Sequence, residues 1–300
     1  MTIVEMNHVS KTFGTVHAVD DVTLSIEKGE LFGLLGPNGA GKTTAIRCML
    51  DIFKPDSGTI SILGGAMSED KKDRIGYMPE ERGLYQDITL ERCLTYLGSL
   101  KGLKPAQVRE NARQYLEYFD LADHGSRKVK ELSKGMQQKA QVISTLLHQP
   151  DLLIVDEPFA GLDPVNTRLV KDLLREQHEK GVTIILCSHQ MNMVEELCER
   201  ILLVDHGKAV LYGRLDEIRK KFSGNAVTVQ TSANLPSLPG VEKVEAVNGS
   251  MKLTLASGIT PQEILQRLVN ADVPMDGFNI STPTLDEIFI NVVQGRGKTE

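Results

Sequence analysis

The sequence predicts an α/β fold built on a parallel sheet, followed by a smaller α+β unit. Three observations predict it. Residues 36–43 read Gly36-Pro37-Asn38-Gly39-Ala40-Gly41-Lys42-Thr43, fitting G-x-x-x-x-G-K-[ST], directly after the apolar run Leu31-Phe32-Gly33-Leu34-Leu35. Two further apolar runs, at 152–155 and 183–186, flank a charged helical stretch at 164–180, the pattern of a βαβ unit. Beyond residue 225 the chain turns to short alternating strands and two amphipathic helices.

Residues 2–30 read as short strands joined by turns: 3–6, 18–19 and 22–26, the last alternating Val22, Leu24 and Ile26 with polar neighbours. The 31–35 run delivers the chain to the glycine-rich loop, where successive N–H groups can form an anion nest. A helix beginning near Lys42 and running from Thr44 to Phe53 adds its positive N-terminal end. Pro55-Asp56-Ser57-Gly58 is a turn, followed by strands at 59–63 and 74–79. Residues 86–149 change character to a helical insertion: Leu90, Cys93, Leu94 and Leu97 share one helix face, Val108, Tyr115, Leu116 and Phe119 another, and a third helix spans about 133–148. A strand at 201–204 and a charged helix at 214–225 close the first domain, expected to span 1–222. The second, 226–300, is expected to hold a strand at 226–230, a hairpin turning at Asn248-Gly249, a helix at 261–271, a strand at 277–281 and a helix at 284–294.

Composition narrows the class. With 41% hydrophobic and 25% charged residues the chain reads as soluble and globular. A net charge of −6 predicts no general attraction to nucleic acid or anionic lipid. Cys48, Cys93, Cys187 and Cys198 form no C-x-x-C pair and sit in apolar contexts, as packed, reduced cytosolic thiols do. Glu5, Lys11, Asp20 and Asp21 argue against a signal peptide, and no apolar run reaches the roughly 18 residues of a membrane span.

The candidate chemistry begins at the loop. Lys42 is placed to reach β/γ-phosphates and the Thr43 hydroxyl to hold Mg²⁺. Leu152-Leu153-Ile154-Val155-Asp156-Glu157 is a buried strand ending in two carboxylates. Asp156 suits Mg²⁺, directly or through water, and Glu157 can polarise a water for in-line attack on a γ-phosphate. Upstream lies Leu132-Ser133-Lys134-Gly135-Met136-Gln137-Gln138, and downstream come Ala160-Gly161-Leu162-Asp163 and Ser188-His189.

Taken together, residues 1 to about 220 resemble the nucleotide-binding subunit of an ATP-binding-cassette (ABC) transporter. That family combines a phosphate loop, an L-S-G-G-Q signature at a helix start, the Asp-Glu strand, an S/A-x-L-D turn and a downstream histidine. The resemblance implies a P-loop ATPase core with an antiparallel β subdomain and a helical insertion. It implies ATP bound by Gly36, Pro37, Asn38, Gly39, Ala40, Gly41, Lys42, Thr43 and Thr44. Phe13 matches the aromatic that stacks on adenine, a core phenylalanine being the other reading of it. His189 matches a histidine that contacts the γ-phosphate. Ser133 and Gly135 match groups that contact ATP held by a second subunit; Ser133 also suits plain helix N-capping, and the two roles are compatible.

The chain departs from the pattern in three places. Lys134 replaces a glycine and Met136 a glutamine in the signature. Glu80, in Met78-Pro79-Glu80-Glu81-Arg82-Gly83, stands where the family has a metal-facing glutamine; it keeps the oxygen, adds a charge and removes two donors. The stretch 80–85 and the C-terminal unit resemble ATPases of bacterial sodium- and drug-efflux exporters. The implied partners are a second ATPase subunit, expected as a homodimer, and a separately encoded polytopic permease, placing the chain on the cytoplasmic face of the cell membrane. The alternative is a soluble cassette acting on nucleic acid or the ribosome; such proteins carry two cassettes, a coiled coil or zinc cysteines, which this sequence lacks.

Overall fold

A computed structural model describes the chain except residues 82, 223–225, 234, 248, 257, 282 and 297–300, and the side chains of 294–296. Its contacts divide it into two compact units, Met1–Gly213 and Arg214–Glu300.

The first unit opens with β1 (Thr2–Phe13) and β2 (Val16–Glu27), then β3 (Leu31–Leu35), α1 (Lys42–Met49), β4 (Ser57–Ile62), α2 (Glu69–Lys72) and β5 (Ile75–Met78). β1 pairs antiparallel with β2 and β4 in a three-stranded sheet. The short strands expected at 2–30 are instead two twelve-residue strands. Register shifts interrupt their pairing, and His8 and Asp21 take positive φ of 52° and 54°. Such bulges break the period-2 pattern, so one long strand reads as several short ones.

The helical region follows: α3 (Leu90–Leu100), α4 (Pro105–Tyr118) and α5 (Lys134–Leu146). Thr89 caps α3 and Ser133 caps α5, each accepting from a backbone N–H three residues on. The chain then alternates through β6 (Leu152–Asp156), α6 (Pro164–Glu179), β7 (Thr183–Ser188), α7 (Met191–Leu197), β8 (Arg200–Asp205) and β9 (Lys208–Arg214).

Six strands form one sheet in the order β5-β6-β7-β3-β8-β9, with the pairs from β5 to β8 parallel. β3, β6 and β7 are buried along their whole length, as strands covered on both faces must be. Their order decides the site. β6, β7 and β3 lie side by side, with Asp156 paired to Cys187 and Leu35 to Ser188. Three chain segments far apart in sequence therefore end together at the carboxyl edge, where ligands of open α/β sheets bind.

The second unit contains α8 (Leu215–Phe222), β10 (Ala226–Gln230), β11 (Val241–Val247), β12 (Ser250–Leu255), α9 (Pro261–Asn270), β13 (Gly277–Ile280) and α10 (Leu285–Arg296). Its antiparallel sheet runs β11-β12-β10-β13. Val227, Val229, Leu253 and Leu255 point inward and pack with Ile264 and Leu268 of α9. β11 and β12 form the expected hairpin; Asn248 of its turn, and the end expected for the preceding helix at Ser223-Gly224, lie outside the described residues.

Candidate functional site

The loop after β3 is shaped by glycines for steric reasons. Gly36 and Gly41 adopt φ of 151° and 107°; a Cβ there would stand 2.1 Å from the Val204 carbonyl oxygen and 2.0 Å from that of Ala18. Only a residue without a side chain fits. The Lys42 ammonium folds back and donates to the carbonyls of Gly36 (2.8 Å) and Pro37 (3.0 Å). Gly41 caps α1 without a side-chain bond, so the helix's first N–H groups face the loop.

Asn38, Gly39, Ala40, Gly41, Lys42, Thr43 and Thr44 line a cavity of about 810 Å³ together with Glu80, Asp156 and Glu157. Its far wall is one that sequence reasoning missed: Val16, His17, Ala18 and Asp20 from β2, and His206, Gly207 and Lys208 from the turn after β8. Gly207 takes φ of 79°, and a Cβ there would stand 2.5 Å from the His17 carbonyl oxygen, so this part of the wall requires a glycine. Phe13 does not line the cavity. It lies 45% exposed at the end of β1, its ring 5.3 Å from that of Phe53, with the Lys11 ammonium 5.5 Å above it.

Asp156 is 1% exposed. Its Oδ2 accepts a hydrogen bond from the Thr43 hydroxyl at 2.9 Å, while Oδ1 is buried with no hydrogen-bond partner. A buried carboxylate oxygen without a donor fits a cation ligand. Hydroxyl and carboxylate are the hard oxygen donors that Mg²⁺ takes, with phosphate and water completing its shell. Beside them, burial and then the Asp156 charge push the Cys187 thiol well above its ordinary range, so it stays a neutral packed thiol. The other three cysteines are buried and unpaired too.

Glu157 is 4% exposed and takes a positive φ of 52°, rare for a residue with a long side chain. Its Oε1 accepts from the His189 backbone N–H and lies 2.7 Å from His189 Nδ1. A carboxylate only accepts, so Nδ1 carries the proton and Nε2 is left for another partner. Oε2 accepts from the Ser188 hydroxyl at 3.0 Å, a contact the sequence gave no sign of. Ser133 and Gly135 do not join this cluster. Ser133 is exposed and accepts from the Met136 N–H, performing the capping role; Gly135 sits near Leu162 of the Ala160–Asp163 turn. Asp163 caps α6 by accepting from the Asn166 N–H, and these bonds lower its carboxyl pKa.

The phosphate loop and the paired acids thus line one cavity, and His189 is tied to it through Glu157. The sequence profile of the family described as ABC transporter matches residues 19–160. YhaQ of Bacillus subtilis (strain 168), an uncharacterised ABC transporter ATP-binding protein, is 41% identical over 292 residues, 96% of this chain and 97% of that one. The chain belongs to the ABC transporter ATP-binding family. ATPase activity is characteristic of this family, and its ATP-binding subunits generally dimerise and work with a membrane permease.

Residues 213–293 match the C-terminal domain of ATP-binding proteins of the DrrA1-3 type. The linearmycin resistance ATP-binding protein LnrL of Bacillus subtilis (strain 168) is 29% identical over 304 residues, 97% of this chain and 98% of that one. A solved structure of an ATP-binding subunit of an ABC transporter has 32% identity and a TM-score of 0.69, over 74% of this chain and 93% of that one. These comparisons lend no support to a cassette acting on nucleic acid or the ribosome. Among the described residues, no helix of this ABC subunit is long and apolar enough to cross a membrane.

Proposed function

We propose that the chain hydrolyses MgATP as one of two identical subunits and powers a separately encoded permease in the direction of export. The observation that supports this most is the meeting of Lys42, Thr43, Asp156, Glu157 and His189 at three adjacent strand ends. Lys42 and the loop N–H groups bind the β/γ-phosphates. Thr43 and Asp156 hold Mg²⁺, with the Glu80 carboxylate in the same cavity; when bound, the cation neutralises charge on the phosphate oxygens. Glu157 takes the proton from the attacking water. With protons on both ring nitrogens, His189 donates Nδ1–H to Glu157 and Nε2–H to a γ-phosphate oxygen. Phe13 stands outside the cavity lining but pairs with Val16 of its wall, and from there its exposed ring stacks on adenine.

Ser133 and Gly135 lie apart from their own cavity, so they complete the site of a second copy. A two-fold axis repeats that contact reciprocally. The permease docks around residues 80–85 and the helices at about 90–121. There Tyr85 and Tyr96 are exposed and stack edge to face, with centroids 5.2 Å apart. In sequence that stretch begins at Glu80, which lines the nucleotide cavity; Arg82 lies outside the described residues. Export is favoured by LnrL, named for resistance to linearmycin, and by the DrrA-type C-terminal domain. The ATPase domain spans 1–222, although its last helix, α8, groups by its contacts with the unit Arg214–Glu300, and 226–300 is an accessory domain that adjusts dimerisation or turnover. The whole sits at the inner face of the cell membrane through its permease.

The test is phosphate release by the purified chain with and without Mg²⁺, beside Glu157→Gln. The expected result is Mg²⁺-dependent turnover in the wild type and a stable ATP-bound dimer in the variant. A wild-type chain that binds ATP but never hydrolyses it overturns the catalytic part of this reading.

A further inference from the structure

Helix α5 carries three buried glutamines within little more than one turn, Gln137, Gln138 and Gln141. Each side-chain amide is spent on backbone carbonyls of a different segment. Gln137 Nε2 donates to Val129 and Leu132, just before its own helix. Gln138 Nε2 reaches the carbonyls of Glu157 (3.4 Å) and Pro158 (3.2 Å). Gln141 Nε2 donates to the carbonyls of Pro79 (2.8 Å) and Glu81 (3.2 Å), the two residues on either side of Glu80.

The donors are what these sites require. Each Nε2 faces two carbonyl oxygens, which accept and never donate. Turning either amide over would set oxygen against oxygen, so the orientation is dictated by the surroundings. Gln141 Oε1 is itself buried without a partner. That side chain is therefore held by what it donates to. A lysine would supply donors but bury a charge, and a methionine or glutamate would fill the same space with no donor.

The Glu157 end has a second sign of constraint. At φ of 52° its backbone is strained, and such strain persists only where the surroundings over-determine it. Its N–H donates to the Cys187 carbonyl at 2.9 Å, and its own carbonyl accepts from Gln138. The residue is gripped on both sides.

We propose that Gln138 and Gln141 are positioning residues: from one helix they set the Glu157 and Glu80 segments in the nucleotide cavity relative to each other. The same helix begins at Ser133, so three parts of the ATP machinery share one rigid element. This rests on the roles given above to Glu157 and Glu80. A displacement of the Glu80 segment at a partner surface is then carried by α5 to Glu157, without contact between the two acids.

The experiment uses the full chain and the isosteric variants Gln138→Met and Gln141→Met, each checked for folding by its melting curve. Gln138→Met is expected to lower kcat at least about tenfold with KM for ATP within about threefold, the pattern of a lost transition-state interaction. In a Glu157→Gln background the same change is expected to lower turnover no further, because both act through one group. Gln141→Met is expected to shrink the extra rise in Tm that MgATP gives over ATP alone, and to have no such effect in a Glu80→Ala background. Additive losses in both backgrounds make these glutamines ordinary packing residues and overturn the proposal, as does wild-type kinetics in both variants. A wild-type chain without ATPase activity, or a Glu157→Gln protein that turns over normally, overturns the parent reading and takes the proposal with it. If Gln138→Met does not fold, the Gln141 arm alone decides, since its readout is binding.

Discussion

The two units of this chain use their interiors differently. In the first, the buried side chains include Lys42, Gln138, Gln141, Asp156, Glu157, Thr183 and Ser188 beside the aliphatic core. In the second, every buried side chain among the described residues is apolar, from Leu215 and Ile218 to Leu285 and Ile288. A buried polar group costs stability unless it is hydrogen-bonded, and a buried charge costs more. The second unit avoids that cost because its core only has to pack. The first accepts it in part where the nucleotide cavity meets the sheet, at Lys42, Asp156, Glu157 and Ser188, and in part on α5, whose Gln138 and Gln141 reach the segments of Glu157 and Glu80. Much of the buried polarity therefore bears on the candidate chemistry.

That contrast can be broken by experiment, most sharply at Glu157. Glu157→Gln keeps the shape and removes the base, so turnover should fall by about 10²–10⁴-fold. Calorimetric titration should find ATP affinity little changed. Normal phosphate release would make this buried acid a structural group, and the contrast would lose its functional meaning.

Lys42→Ala comes next. Removing charge-assisted bonds of about 1.5–3 kcal/mol should weaken ATP binding roughly 10–100-fold. Titration with ATP measures this; unchanged affinity would remove the phosphate loop from the site.

Acid sensitivity should also belong to the first unit. Burial, and then the Lys101 ammonium, hold the His148 imidazole down to about 4, from an ordinary 6.5. Its Nε2 lies 3.1 Å from the Ile75 carbonyl, so the neutral ring donates there. Between pH 6.5 and about 4 the unfolded chain binds this proton and the folded chain does not. Stability is thus fully present above about 6.5 and falls as pH drops through that window, by about 3 kcal/mol at most. His148→Gln keeps a donor to Ile75 and should flatten that part of the slope in urea titrations at stepped pH. An unchanged slope would show that other groups govern the acid response.

The smallest effect on the cavity is expected from Leu253→Ala. Leu253 is fully buried between β10 and β11, and its truncation should destabilise the second unit by about 2–5 kcal/mol. ATP affinity should stay within about twofold. A large loss of ATP binding would mean that the nucleotide site depends on the second core, and the comparison would have to be redrawn.

The sequence by itself determined the parts whose geometry is local. In residues 36–43, glycine placement and the following helix are properties of a few consecutive residues, so the loop could be read without its neighbours. Asp156, Glu157 and His189 were legible as polar groups at the ends of apolar runs. The inward residues of the second unit, Val227, Val229, Leu253 and Leu255, followed from simple alternation. Tertiary structure decided the rest. Thr43 and Asp156 are 113 residues apart and meet only because β7 lies between β6 and β3. Gln141 finds the Glu80 segment about 60 residues upstream, and Ser188 finds Glu157 31 residues before it. The wall formed by Val16, His17 and Lys208, with Phe13 left outside the lining, depends on how the β1–β2 hairpin packs against the turn after β8. Such meetings are fixed by strand order and register, which arise from pairing across the whole sheet. No local pattern records them, because the hydrogen bonds and contacts that select them join residues the chain does not place together.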